Sequence, residues 1–262
     1  MDLGLSGKVA LVTSASSGLG KAAAMEFARE GAKVTICGRS DRVQSAADDI
    51  RKATGGEVLP VRADVSKQND VQKLVESTVD RFGRVDILII NAGGPPTGAF
   101  LDLKVEDWRA AIELTLMSSV YLCYEIVPPM LQQGSGSIVA SQSYSVKQPI
   151  ENLVLSNSIR LAVIGMMKTL ANELGPKGIR VNSINPGWTK TERVVELMQD
   201  RARRNRTTVE DEVGRITQEV PLGRMATPQE YGKAVVWLAS PAASYIHGHA
   251  LMVDGGITMT PL

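Results

Sequence analysis

Cysteine is nearly missing from these 262 residues: Cys37 stands in "VTICG" and Cys123 in "VYLCYEIV". Two thiols in apolar surroundings exclude a disulfide framework and are expected to be reduced core residues. An excess of charge is missing as well, with 29 Lys and Arg against 28 Asp and Glu. That balance leaves no electrostatic footprint for nucleic acid or an anionic membrane, so the expected partner is a small molecule. No uninterrupted apolar run approaches the about 18 residues of a membrane-crossing helix. The start, "MDLGLSGKVALVT", has an acid at Asp2 and lacks the basic opening and long apolar segment of a signal peptide. Together these absences predict a cytoplasmic chain. No internal repeat, low-complexity tract or metal site is expected.

With 44% apolar residues the chain can bury one large core, and a single domain over 1–262 is expected. Seven β-rich runs are spaced along it: "KVALVT" (8–13), "KVTIC" (33–37), "EVLPV" (57–61), "VDILII" (85–90), "GSIVAS" (136–141), "IRVNSI" (179–184) and "ALMVD" (250–254). Several are almost continuous Val, Ile and Leu, as strands covered on both faces require, and the segments between them are long enough for crossover helices. The expected fold is α/β, a doubly wound Rossmann-type domain whose seven-stranded parallel sheet carries helices on both faces. Gly31 and Gly175 each follow a helical segment where a left-handed cap is wanted. Segment 190–220 is polar and charged; its arginines 201, 203, 204 and 206 are interleaved with Glu196, Asp200, Glu210, Asp211 and Glu212. That patterning predicts a solvated helical flap, and its late position suggests a substrate lid.

The first strand runs into "TSASSGLGKAAA", where Gly18 and Gly20 open a helix. Glycines here permit a tight turn and a close backbone approach to a pyrophosphate, with the helix N-terminus supplying free N–H donors. Strand before, helix after and a second strand ending at Cys37, about 20 residues on, are the context such a loop needs. Thr13, Ser14, Ser16, Ser17, Gly18, Leu19 and Gly20 are therefore candidate cofactor contacts. After the second strand come Gly38, Arg39 and Ser40, with no acid to receive a ribose 2′-hydroxyl. Arg39 offers a planar fork suited to a 2′-phosphate, which favours NADP over NAD.

From this point the chain resembles the short-chain dehydrogenase/reductase family nearly end to end. The family's Thr-Gly-x-x-x-Gly-x-Gly loop is similar to "TSASSGLG", with Ser14 in place of the first glycine. If Ser14 is left-handed, this departure costs roughly 1–2 kcal/mol; with negative φ it costs nothing. The resemblance also implies cofactor contacts at Asp64 and Val65, at Asn91, Ala92 and Gly93, and at Pro186, Gly187, Thr189 and Thr191 of "NPGWTKT". It implies a homo-oligomer, tetramer or dimer.

The family's catalytic serine falls on Ser143, but its tyrosine position is Ser156, its lysine position Arg160 and its asparagine position Thr115. An unperturbed phenol of pKa about 10 can be tuned toward neutrality by a nearby cation, whereas an aliphatic hydroxyl starts far less acidic. Arg160, one turn from Ser156, keeps the positive charge but is a poor proton relay. Tyr144, beside Ser143 and three residues before Lys147, is a candidate relocated acid. Two readings stay open: an NADP-dependent oxidoreductase acting on a carbonyl or secondary alcohol with an atypical proton donor, and a cofactor-binding protein without turnover.

Overall fold

The computed structural model describes residues 1–260. Its strands are β1 (Val9–Val12), β2 (Lys33–Gly38), β3 (Val58–Arg62), β4 (Ile87–Ile90), β5 (Gly136–Ser141), β6 (Ile179–Pro186) and β7 (Ala250–Val253). They form one sheet in the order β3-β2-β1-β4-β5-β6-β7, every pairing parallel. The chain steps outward from β1 to β3, then returns to lay β4 against β1, with Ala10 opposite Ile87. This is the expected doubly wound sheet, and the reversal opens a crevice beyond the strand ends where such folds bind ligands.

The apolar runs are divided between two cores by strand alternation. Ala10, Val12, Ile36, Ile89 and Ile184 face a layer holding α1 (Gly18–Arg29), α2 (Arg42–Thr54) and α9 (Pro228–Ala239). Leu11, Cys37, Leu88, Ile90 and Val181 face α3 (Gln68–Phe82), α5 (Ser118–Gln133) and α6 (Val154–Leu174). α1 and α9 approach closely at Gly232, where a Cβ would stand 2.8 Å from the Ala22 carbonyl oxygen. The segments 105–133 and 154–177 are long and apolar enough to cross a membrane by composition, although neither contains an unbroken apolar run. Both nevertheless bury one face on the sheet, through Leu122, Ile126 and Met130 and through Val163, Met167 and Ala171.

One local expectation needs correction. Gly31 is left-handed at φ 78°, but Gly175 is not, at φ −54°. The turn after α6 tightens over Gly175–Lys177, and left-handed Gly178 ends it instead, at φ 80°. The 190–220 segment is helical as expected, and forms two helices, α7 (Glu192–Asn205) and α8 (Val209–Glu219), separated at Arg206, whose φ is 55°. Thr191 caps α7, accepting from Val194 N–H at 3.4 Å, and Thr208 caps α8 reciprocally with Asp211. The remaining helix, α4 (Val105–Ile112), runs through a π-helical turn at Glu113–Met117 into α5.

Candidate active site

The turn from β1 into α1 is held from both sides. Thr13 Oγ1 donates to the Asn91 carbonyl at 2.7 Å and accepts the Asn91 N–H at 2.8 Å. The Asn91 side-chain nitrogen donates to the carbonyls of Thr13 and Ser14, each at 3.2 Å. Asn91 thus works through its amide as a staple on the loop. Ser14 is left-handed at φ 48°, so the roughly 1–2 kcal/mol penalty does apply. Gly18 supplies a second positive φ, 56°. Gly20 leaves no room for a side chain: a Cβ would lie 2.6 Å from the Ser14 carbonyl oxygen and 2.8 Å from the Asn91 amide nitrogen. Ser17, which precedes α1, makes no side-chain cap, so the first-turn N–H groups lack that partner at the mouth of the crevice. That orphaned set is what a pyrophosphate needs, and the loop fits one.

At the end of β2, Ser16 Oγ lies against Gly38, 3.1 Å from where a Cβ would be. Arg39 is exposed, and its carbonyl accepts from Arg62 Nε at 3.2 Å. Arg62 also pairs with Asp41 at 3.4 Å and Arg42 with Glu192. Arg39 takes part in none of the ion pairs among the described residues. Ser40 is exposed beside it. Asp64 and Val65 follow β3 at this edge; Asp64 accepts from the Ser66 N–H and hydroxyl at 3.0 and 2.8 Å.

Further along, one cleft of about 280 Å³ collects Ser14, Ser17, Gly18, Leu19 and Asn91 through Pro95 on one side. Ser143, Tyr144, Ser156, Arg160, Pro186 through Thr189 and Thr191 stand on the other. Arg160 is 8% exposed. Its Nε donates to Ser156 Oγ at 2.9 Å, one helical turn away, and its Nη1 to the Gln142 carbonyl and side-chain oxygens at 3.4 Å. Burial, and then neighbouring Arg193, push its pKa down to about 10, which leaves it charged at neutral pH. Ser143 Oγ accepts the Ser145 N–H at 3.1 Å. Both serines therefore accept from the protein, and each keeps its own O–H to give to the cleft.

The other two candidates stand differently. Thr115 is buried in the π-helical turn, its hydroxyl has no partner, and it is not among the residues that wall the cleft. Tyr144 does reach the cleft, edge-on to Trp188 with ring centroids 6.0 Å apart. Burial raises its pKa, which outweighs the opposing influence of Arg201. Lys147 points out to solvent from the same short turn, so the pairing of Tyr144 with Lys147 does not form. α7 is tied to the loop beside this region: Arg193 donates to the Pro95 carbonyl at 2.7 Å, and Thr97 to Asp200 at 2.7 Å.

The family profile described as "Enoyl-(Acyl carrier protein) reductase" matches residues 14–258. A 3-oxoacyl-[acyl-carrier-protein] reductase from Synechocystis sp. is 36% identical over 97% of this chain and 98% of its own. The chain belongs to the short-chain dehydrogenase/reductase family. Among solved members, L-sorbose reductase from Gluconobacter frateurii, complexed with NADPH and L-sorbose, superposes with a TM-score of 0.94 at 36% identity, covering 99% of this chain and 100% of that one. Actinorhodin polyketide ketoreductase with NADPH gives 0.93 at 32% identity, covering 97% and 98%. In this short-chain dehydrogenase/reductase the sequence overlooked two residues that the cleft contains. Gln142, at the end of β5, carries only the signal of a polar residue closing an apolar strand. Arg193 carries only its place in the first turn of α7.

Proposed function

We propose that this short-chain dehydrogenase/reductase is an NADP(H)-dependent oxidoreductase that interconverts a carbonyl and a secondary alcohol, using a serine pair in place of a phenol to engage the substrate oxygen. The observation that carries this reading is the Arg160–Ser156 hydrogen bond of 2.9 Å inside the cleft that also contains the glycine loop. A nicotinamide cofactor held there supplies the reducing equivalents. Ser14, Ser17, Gly18 and Leu19 would hold its phosphates, Arg39 and Ser40 its 2′-phosphate, and Gly93, Pro186, Gly187, Thr189 and Thr191 the nicotinamide end. L-sorbose reductase and the polyketide ketoreductase, both described with NADPH, support that choice of cofactor.

Ser143 and Ser156 aim their O–H bonds at the oxygen on which negative charge develops, and Arg160 raises the donor strength of Ser156 by binding its lone pair. Such preorganised donors act where charge appears and need no reorganisation during reaction. The proton taken by the product oxygen is restored to the serine from solvent. Overall, a carbonyl compound, NADPH and one proton become an alcohol and NADP. Tyr144 is a wall of the pocket in this scheme, packed edge-on against Trp188.

Steady-state kinetics on a ketone panel test it. Ser156→Ala and Ser143→Ala should each lower kcat by on the order of 10² to 10³ with NADPH affinity kept, and Tyr144→Phe by less than threefold. A large loss in Tyr144→Phe alone would move the acid back to the phenol. NADPH binding without turnover of any carbonyl would favour a binding protein.

A further inference from the structure

The charges of the cleft do not balance. Its charged walls are Arg160, Arg193 and Glu192, and Glu192 is engaged outward by Arg42. Arg160, more than nine-tenths buried, has only neutral partners: Ser156 on Nε and Gln142 on Nη1. Among the described residues its Nη2 makes no hydrogen bond and the guanidinium takes part in no ion pair. The neighbouring charge that acts on it most is another cation, Arg193. Arg193 lies flat on Gly94, where a Cβ would come within 2.9 Å of its Nε, so the glycine makes its place possible. Buried charges in folded proteins are paired, because an unpaired one forfeits hydration without recompense. Here the fold pairs Arg193 with Glu196 at 3.3 Å but gives the buried Arg160 no acid.

We propose that the missing acid belongs to the substrate: the cleft takes a 2- or 3-oxo acid, or the matching hydroxy acid, whose carboxylate is held by the Arg160 fork beneath Arg193. This rests on the oxidoreductase reading for the position of the carbonyl. The carbonyl oxygen sits at Ser143 and Ser156, and Arg160 touches Ser156, so carboxylate and carbonyl are separated by one or two carbon–carbon bonds. Ile150, Leu153, Trp188 and Leu197 give the rest of the substrate an apolar wall. In the reduction the carbonyl carbon gains hydrogen and an electron pair from NADPH, the oxygen gains a proton, and the carboxylate leaves unchanged.

Two measurements decide this. The first compares 2-oxobutyrate, 3-oxobutyrate and 2-oxohexanoate with their methyl esters under saturating NADPH. The acids should exceed the esters in kcat/KM by roughly tenfold to hundredfold, the worth of one charge-assisted bond. Arg160→Gln should erase that ratio, Arg193→Gln should reduce it, and Arg160→Lys should keep part of it, which serves where the glutamine variant does not fold. Esters reduced as well as acids, or a ratio that survives Arg160→Gln in folded protein, would overturn the proposal. So would an Arg160→Gln variant that loses NADPH affinity while keeping the ratio, since the guanidinium would then serve the cofactor's ribose.

The second measurement needs no turnover: calorimetric titration of the protein with butyrate and hexanoate against butyramide and hexanamide, with and without NADP. Tighter binding of the carboxylates in the presence of NADP supports the site even if no carbonyl is reduced, which would sink the oxidoreductase reading alone. No preference, or one that NADP abolishes, would overturn the proposal and assign the positive charge to the cofactor's phosphates.

Discussion

Replacing Gly20 by alanine sets a methyl group 2.6 Å from the Ser14 carbonyl oxygen, 2.8 Å from Ala15 Cα and 2.8 Å from the Asn91 side-chain nitrogen. Two of these neighbours are backbone, and the third is fixed by bonds of 3.2 Å to the Thr13 and Ser14 carbonyls. None can swing away as a flexible side chain would. Overpacking of this kind costs about 1–3 kcal/mol, and disturbing the two Asn91 bonds brings the total to roughly 2–5 kcal/mol. For a chain of this size that lowers Tm by about 5–15 °C. Gly93 is the matched control: it has open space around its Cβ position and no positive φ, yet it lines the cleft. Gly93→Ala should leave Tm within about 2 °C while weakening NADPH binding tenfold or more, because its methyl points where the cofactor would lie. The assays are a thermal melt and a titration of NADPH fluorescence. A Gly20→Ala protein that melts like its parent would refute the loop geometry, and an unchanged NADPH affinity in Gly93→Ala would refute the placement of the nicotinamide end.

Ser14→Gly removes left-handed strain worth roughly 1–2 kcal/mol but adds about 0.5–1 kcal/mol of unfolded-state entropy, so stability in urea should rise by up to about 1.5 kcal/mol; a loss would mean that the serine hydroxyl matters more than its backbone. Equilibrium titrations should show NADPH bound tighter than NADH, with Arg39→Ala narrowing the gap, and equal affinities in the parent would remove that argument. Asp200 is held below the ordinary aspartate range first by the Thr97 hydroxyl, then by Arg204 and Arg203. Because the folded value is the lower one, this clasp contributes in full at neutral pH and is lost only as pH falls through that depressed value. Thr97→Val should raise the Asp200 midpoint in an NMR titration, and an unmoved midpoint would contradict the clasp.

The sheet was legible because parallel strands covered on both faces must be written as short Val, Ile and Leu runs, and the alternation that divides Leu11 from Ala10 and Val12 needs no other information. Ser156 and Arg160 were legible as neighbours because one turn of helix brings residues four apart together. Gly175 misled because its left-handed role passed to Gly178, three residues on, once the helix tightened into a short 3₁₀ turn. Tyr144 and Lys147 looked like a pair in sequence, but a turn sends neighbouring side chains to opposite sides. Arg193 and Gln142 were not legible at all. Each matters through contacts across the fold, with Pro95 and Arg160, and no local pattern encodes a contact 98 or 18 residues away.

The tight seating of α9 on α1 at Gly232 has a consequence for synthesis. The apolar face of α1, with Ala23, Ala24 and Phe27, shares its core with Tyr231, Val235 and Val236 of a helix that leaves the ribosome about 200 residues later. At the usual 5–20 residues per second, that is roughly 10–40 s during which the first βαβ unit exists without its cover. β7 arrives later still and pairs with β6 at the sheet's edge. The nascent chain must therefore keep the uncovered apolar face of α1 from aggregating until α9 has been made, and a truncation that removes α9 should be felt first as insolubility.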